Sequence, residues 1–125
     1  MNIPNNLNFA TSHEWARLEA DGTVTMGISD VAQDMLGDIV FCGEAKVGEM
    51  LAAGETCAVV ESVKAASDIY MPVAGEVLAF NEALDADPAV MNTTPYEAWV
   101  LKIKPSNPAD VAALMDSAAY QATIA

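Results

Sequence analysis

Cations are scarce in this sequence. Five Lys and Arg stand against eighteen Asp and Glu, a formal net charge of −13 at pH 7. Affinity for nucleic acid rests largely on cationic contacts to phosphate, so this balance argues against a binder of the phosphate backbone. It equally disfavours docking on an anionic membrane surface. Long apolar runs are missing as well: the longest unbroken one spans five residues, 111–115, against the ~20 that a membrane-crossing helix needs. Cysteine and histidine are nearly absent. Cys42 and Cys57 belong to no CxxC pair and lie far along the chain from the single histidine, His13, so no metal site is expected. The thiols are expected to be reduced and packed as small apolar groups. Residues 1–6 show neither a cationic stretch leading into an apolar one nor enrichment in Arg and Ser, which points to a cytoplasmic chain. No nucleophile–base pair or glycine-rich phosphate loop is visible, so no catalytic residue and no enzyme activity of its own are expected. His13, beside Glu14 and Trp15, reads as a structural residue.

The 125 residues suit a single domain over 1–125, long enough to build a core without a metal or disulfides. Short apolar stretches separated by turn residues fill 7–104. Residues 9–18 read as a strand interrupted at Ser12-His13-Glu14. Asp21-Gly22 signals a tight turn, and 23–28 alternates as a second strand with Val24, Met26 and Ile28 on one face. Ser29-Asp30 reads as a helix start and Gly37 as its left-handed stop, with Val31, Met35 and Leu36 on the apolar side between them. Further strands are expected at 39–42 (buried), 56–60, 69–73, 76–80 and 99–103. Six or more short strands with Gly turns indicate a mostly β sandwich or flattened barrel. Near the end, Asn107-Pro108 opens a helix in which Val111, Leu114, Met115, Ala118 and Ala122 recur at helical spacing. One amphipathic helix over about 108–122, packed on the β core of about 7–104, is expected. Ala-Gly-Glu occurs twice, at 53–55 and 74–76, nearly symmetric about residue 64 and suggesting two similar half-units.

Between residues 47 and 101 the only cation is Lys64. Strand formers precede it, and the small residues Ala65-Ala66-Ser67 follow before Ile69-Tyr70. That is the pattern of a hairpin tip with an unobstructed amine. It is compatible with a surface lysine paired to Glu61 or Asp68. A Schiff-base lysine would need burial or a second cation to lower its pKa, and neither is visible. A lysine exposed for covalent modification also fits: an amide-linked arm on a rigid tip gives high effective concentration at several enzymes in turn, and such group carriers need a scaffold instead of a catalytic pocket.

Across about 7–120 the sequence resembles the H-protein family of the glycine cleavage system. The resemblance is carried by Ser12-His13-Glu14-Trp15, Gly27-Ile28-Ser29-Asp30, Leu36-Gly37-Asp38, Glu61-Ser62-Val63-Lys64-Ala65, Ser67-Asp68, Pro72-Val73-Ala74-Gly75-Glu76, Pro95-Tyr96 and Lys102-Ile103-Lys104-Pro105. It implies a lipoyl/biotinyl-type barrel-sandwich hybrid and a carrier that is not itself an enzyme. Lipoate would be attached to Lys64 by an amide bond, and Glu61 and Asp68 would help the lipoate-attaching enzymes recognise the tip. The arm would shuttle an aminomethyl group and reducing equivalents among the P, T and L proteins of glycine cleavage. It would fold into a surface cleft bordered by Ser12, Glu14, Met35 and Asp68, where a carboxylate can pair with the ammonium of the cargo. A monomer is expected.

The sequence also departs from the family pattern. Met35 stands where the family often has His, 42–45 reads Cys-Gly-Glu-Ala, and 95–99 lacks the usual Gly before Trp99. These departures leave open a related lipoate-binding protein of another pathway, such as bacterial sulfur oxidation with heterodisulfide-reductase-like complexes.

Overall fold

The turn and cap signals of the amino-terminal half act locally, and the backbone follows them. In the computed structural model, which describes residues 1–124, β1 (Asn8–Phe9), β2 (Glu14–Leu18) and β3 (Val24–Ile28) form an antiparallel meander. The β2–β3 turn closes on Asp21, whose carboxylate accepts the Thr23 N–H at 3.0 Å, and on Gly22 at φ +88°. Ser29 caps α1 (Asp30–Leu36), its hydroxyl accepting the Ala32 N–H at 3.1 Å. Gly37, at φ +81°, ends the helix by donating its N–H to the Gln33 carbonyl.

Next come β4 (Ile39–Gly43), β5 (Met50–Leu51), β6 (Thr56–Ser62), β7 (Ala66–Tyr70) and β8 (Gly75–Phe80). Two single-turn helices follow, α2 (Ala83–Ala86) and α3 (Val90–Thr93), then β9 (Leu101–Pro105), α4 (Ala109–Ala112) and α5 (Ser117–Ile124). All strand pairs are antiparallel, in a six-stranded sheet ordered β1-β2-β3-β9-β8-β5 and a three-stranded sheet ordered β4-β6-β7. Met26, Val77 and Ile103 from the larger sheet join Cys42, Val60 and Ile69 from the smaller in one apolar core. The expected mostly β sandwich is therefore present. Cys42 and Cys57 are buried free thiols in that core; desolvation pushes each up to about 12, so both stay protonated. No helix among the described residues is long and apolar enough to cross a membrane.

Several elements differ from expectation. The single helix over 108–122 is instead two helices, because Met115 leaves the helical path to exchange backbone hydrogen bonds with Phe9, at 2.8 and 3.0 Å. That break resets the helical phase. Ser117 and Tyr120 face inward while Ala118 and Ala122 are exposed, and Tyr120 stacks on Phe9 with ring centroids 4.4 Å apart. The strand expected at 69–73 ends at Tyr70, after which the Met71 N–H bonds to the Glu55 carbonyl. The strand expected to be buried at 39–42 exposes Val40, because the register with β6 shifts between Ile39 and Phe41. The two Ala-Gly-Glu copies do different work. Gly54 sits in an open turn at φ +85°, whereas Gly75 lies in β8 where a Cβ would come within 2.4 Å of the Lys104 carbonyl oxygen.

Candidate functional site

The β6–β7 hairpin presents Lys64 at its tip. Glu61 pairs with Ala66 in the ladder, and the Ser62 N–H donates to the Ala65 carbonyl at 2.8 Å. The Ser62 hydroxyl accepts the N–H groups of Lys64 and Ala65, both at 3.2 Å. A serine two residues before the lysine thus organises the turn with local hydrogen bonds, a strong preference of Ser in such positions. The tip is also held from outside: the Val63 N–H donates to the Asp38 carbonyl at 3.0 Å, fastening it to the α1–β4 connection.

Lys64 is exposed, and its stem lies over Gly37, where a Cβ would fall 3.0 Å from Lys64 Cε. The glycine therefore leaves the space in which the lysine rests. Neither Glu61 nor Asp68 pairs with the amine; among the described residues the only ion pair is Arg17–Glu19 at 3.1 Å. Asp68 is occupied by the Thr56 hydroxyl at 3.3 Å.

Asn92, on α3, escaped the sequence reading. Its Oδ1 accepts the Ile39 N–H at 2.9 Å, and its Nδ2 donates to the Gly37 carbonyl at 2.8 Å and to Gln33 Oε1 at 2.9 Å. One amide thereby closes the α1 terminus on the start of β4, directly beneath the lysine. Its position between apolar Met91 and a Thr pair carries little signal, since nothing local says which backbone it will meet.

A cleft of about 300 Å³ opens between α1 and β7, beside the hairpin. Ser12, Glu14, Met35 and Asp68, the four residues expected to border an arm, all line it, and its apolar wall includes Ile28, Leu36, Val60 and Ile69. Glu14 is the buried one, only 2% exposed. The Ser12 hydroxyl donates to its Oε1 and the Tyr70 N–H to its Oε2, the latter at 3.2 Å. Burial drives its carboxyl up from 4.5 to about 7, with the two hydrogen bonds pulling the other way.

His13, also on the cleft, takes φ +78° and bonds through Nδ1 to the Tyr120 hydroxyl at 2.7 Å. That hydroxyl is 2.8 Å from Ser29 Oγ. The carboxyl-terminal helix is thus tied to the cap of α1, and His13 belongs to that tie. Glu61 lies in the β6 ladder, half-buried, and is not among the residues that line this cleft.

Comparison with known proteins adds the following. A family model described as glycine cleavage H-protein matches residues 7–125. The chain is 61% identical over 123 residues to glycine cleavage system H protein 2 of Pseudomonas putida, covering 98% of this chain and 97% of that one. It is 59% identical over 124 residues to the glycine cleavage system H protein of Thiobacillus denitrificans, covering 99% and 96%. The crystal structure of a glycine cleavage system H protein from Mycobacterium marinum superposes with a TM-score of 0.88 at 36% identity, over 98% of both chains. None of these relatives points to the sulfur-oxidation alternative.

Proposed function

The chain belongs to the glycine cleavage H-protein family, and from that premise we propose that Lys64 is the residue to which its lipoyl group is attached. The protein is a lipoyl carrier of glycine cleavage and works with the other components of that system. The observation that supports Lys64 is its position: an exposed, unpaired amine on a doubly fastened tip, at the edge of a cleft that ends in a buried carboxyl.

The cleft suits the group. Its apolar wall of Ile28, Leu36, Val60 and Ile69 matches an aliphatic acyl chain, and Glu14 supplies an anionic site where an amine can rest. When bound, the lipoyl group supplies a disulfide that takes up an aminomethyl unit together with two electrons and releases each in turn. The chain's own residues hold, orient and shield. Ser12 and Tyr70 each use one acceptor site on the Glu14 carboxylate, so each oxygen retains capacity for an ammonium. A cation there would favour the ionised carboxylate and offset its desolvation. Met35 and Asp68 stand on the exposed rim, Asp68 adding negative charge near the entrance.

In this reading the chain has no catalytic residue of its own. It is a cytoplasmic monomer that meets the P, T and L proteins and the lipoate-attaching enzymes in turn, with Glu61 and Asp68 as recognition groups at the tip. The test is intact-protein mass after expression with lipoate and a lipoate–protein ligase. One lipoyl mass is expected, and it is expected to vanish in Lys64→Arg, whose guanidinium does not form the amide. A gain of the same mass in Lys64→Arg would move the attachment elsewhere.

A further inference from the structure

Three large apolar side chains that folding leaves exposed, Met35, Val40 and Val63, at 62%, 54% and 68% exposure, stand on the segments that meet at the tip carrying Lys64. Each has a distinct structural origin. Val63 precedes the lysine at the fastened tip, with its N–H on the Asp38 carbonyl. Val40 is the extra residue of a β-bulge. The β4–β6 register runs from Ile39↔Ser62 to Phe41↔Glu61 and leaves Val40 without a partner. Bulges re-aim side chains, and this one turns a valine out beside Glu61, next to the tip. Met35 stands in the last turn of α1, on the cleft rim with Ala65, two residues before the glycine on which the lysine stem lies. Isolated exposed apolar residues are ordinary; three on the segments that meet at one reactive amine offer a surface.

Apart from Lys64 itself, the charged residues on these segments are all acidic. Asp34, Asp38, Glu61 and Asp68 belong to the same segments. Of the other basic residues, Arg17, Lys102 and Lys104 lie on strands of the larger sheet, Arg17 held by Glu19 and Lys102 against Thr25 and Trp99, and Lys46 is anchored at the start of β6, away from the tip, by its N–H on the Cys57 carbonyl.

We propose that Met35, Val40 and Val63 form the collar on which the enzyme that acylates Lys64 docks, through an apolar recess rimmed by basic side chains. The proposal rests on Lys64 being the attachment point. It commits to the acylating enzyme for a geometric reason. Amide formation brings the acyl carbon within about 3–3.5 Å of Nζ, so that enzyme must cover the tip, whereas one that works at the far end of a finished arm can engage it without doing so. In the step itself, the Lys64 ammonium sheds a proton and its lone pair attacks the carbonyl carbon of a lipoyl adenylate. The N–C bond forms and the C–O bond to the adenylate breaks, its electron pair leaving with AMP. The nitrogen then loses a second proton, and no oxidation state changes.

The experiment is steady-state acylation of the full chain by a lipoate–protein ligase, with lipoate and ATP. It compares the wild type with Met35→Gln and with Val40→Thr/Val63→Thr, which keeps the β-branched shape. For each, KM is expected to rise roughly 5- to 30-fold, the scale of losing buried interface anchors, with kcat little changed. The exposed Met50 and Leu78, in β5 and β8, provide the control: Met50→Gln/Leu78→Thr is expected to keep the wild-type KM. A small octanoyl N-hydroxysuccinimide ester, which needs no docking, is expected to label Lys64 equally fast in all variants, showing that the tip is intact. Collar variants acylated with KM within twofold of wild type would overturn the collar while leaving Lys64 in place. Acylation that persists in Lys64→Arg would instead overturn the attachment point and the collar with it.

Discussion

Glu14 is a carboxyl removed from water with two hydrogen-bond donors and no cation beside it. Because its folded pKa, about 7, lies above the ordinary 4.5, the native state holds its proton more tightly than the unfolded chain does. Its contribution to stability is therefore most favourable below about pH 4.5, declines as pH rises through the folded pKa, and levels off above it. Glu14→Gln can keep both bonds, accepting from Tyr70 and donating to Ser12, without a charge to desolvate. The variant and wild type are expected to unfold at similar urea concentrations near pH 4.5. By about pH 8 the variant is expected to be more stable by roughly 3 kcal/mol at most; urea titrations across that range measure it. The two matching glycines separate in the same assay. Gly75→Ala places a methyl 2.4 Å from the Lys104 carbonyl and 2.9 Å from Pro105 Cα, inside a paired strand that cannot give way, and is expected to lose about 2–3 kcal/mol. Gly54→Ala meets nothing within 4 Å, so only its positive φ opposes it, at about 1 kcal/mol.

At the scale of elements, α1 was legible and its seat was not. Ser29 and Gly37 act on backbone groups within four residues, so the helix limits follow from neighbouring chemistry. The seat depends on Asn92, which closes Gly37 and Ile39 from more than fifty residues away. Asn92→Ala leaves a backbone N–H and a carbonyl without their partner and is expected to cost roughly 2–4 kcal/mol. Its more specific signature is amide hydrogen exchange. Ile39 is expected to exchange faster, and so is Val63, whose acceptor, the Asp38 carbonyl, lies between the two backbone groups that Asn92 holds. Unchanged protection at Val63 would separate the Asn92 clasp from the hairpin tip. The carboxyl-terminal helix shows the converse case. Its apolar spacing is real, but the Phe9–Met115 bridge interrupts it, and no residue near 115 announces a partner at position 9. The single-turn helices α2 and α3 were invisible because each buries one apolar residue, Leu84 and Met91, too few to make a period.

For the whole molecule, eighteen acidic residues against five basic ones are spread along the chain, and the lysine whose charge acylation would remove stands among four of them. Lipoylated protein is expected to carry one more unit of net negative charge and to elute later from an anion exchanger than the unmodified chain. Association with a basic partner surface is steered by such a field and screened by salt. The KM for this protein in glycine–carbon dioxide exchange with P protein is therefore expected to rise as ionic strength increases from about 0.05 to 0.3 M, with kcat little affected. A KM independent of salt would count against the acidic surface as the docking face.

What the residues determined alone were features written by near neighbours: the tip around Ser62 and Lys64, the capped helix, the turn at Asp21-Gly22, and the motif blocks that placed the chain in its family. Tertiary structure decided everything that depends on which surfaces meet. Ser12 and Glu14, the α1 face, and the Val60 to Ile69 hairpin come from three separated segments, and only their packing makes a cleft. Glu14 became unusual only there, because desolvation is a property of what surrounds a group and leaves no trace in the residues beside it. The same holds for Val40, apolar in a strand that reads as buried, which an unmatched register turns outward. Local hydrogen bonding and φ preferences are short-range and so can be read along the chain; burial and register are long-range and are settled when the sheets close.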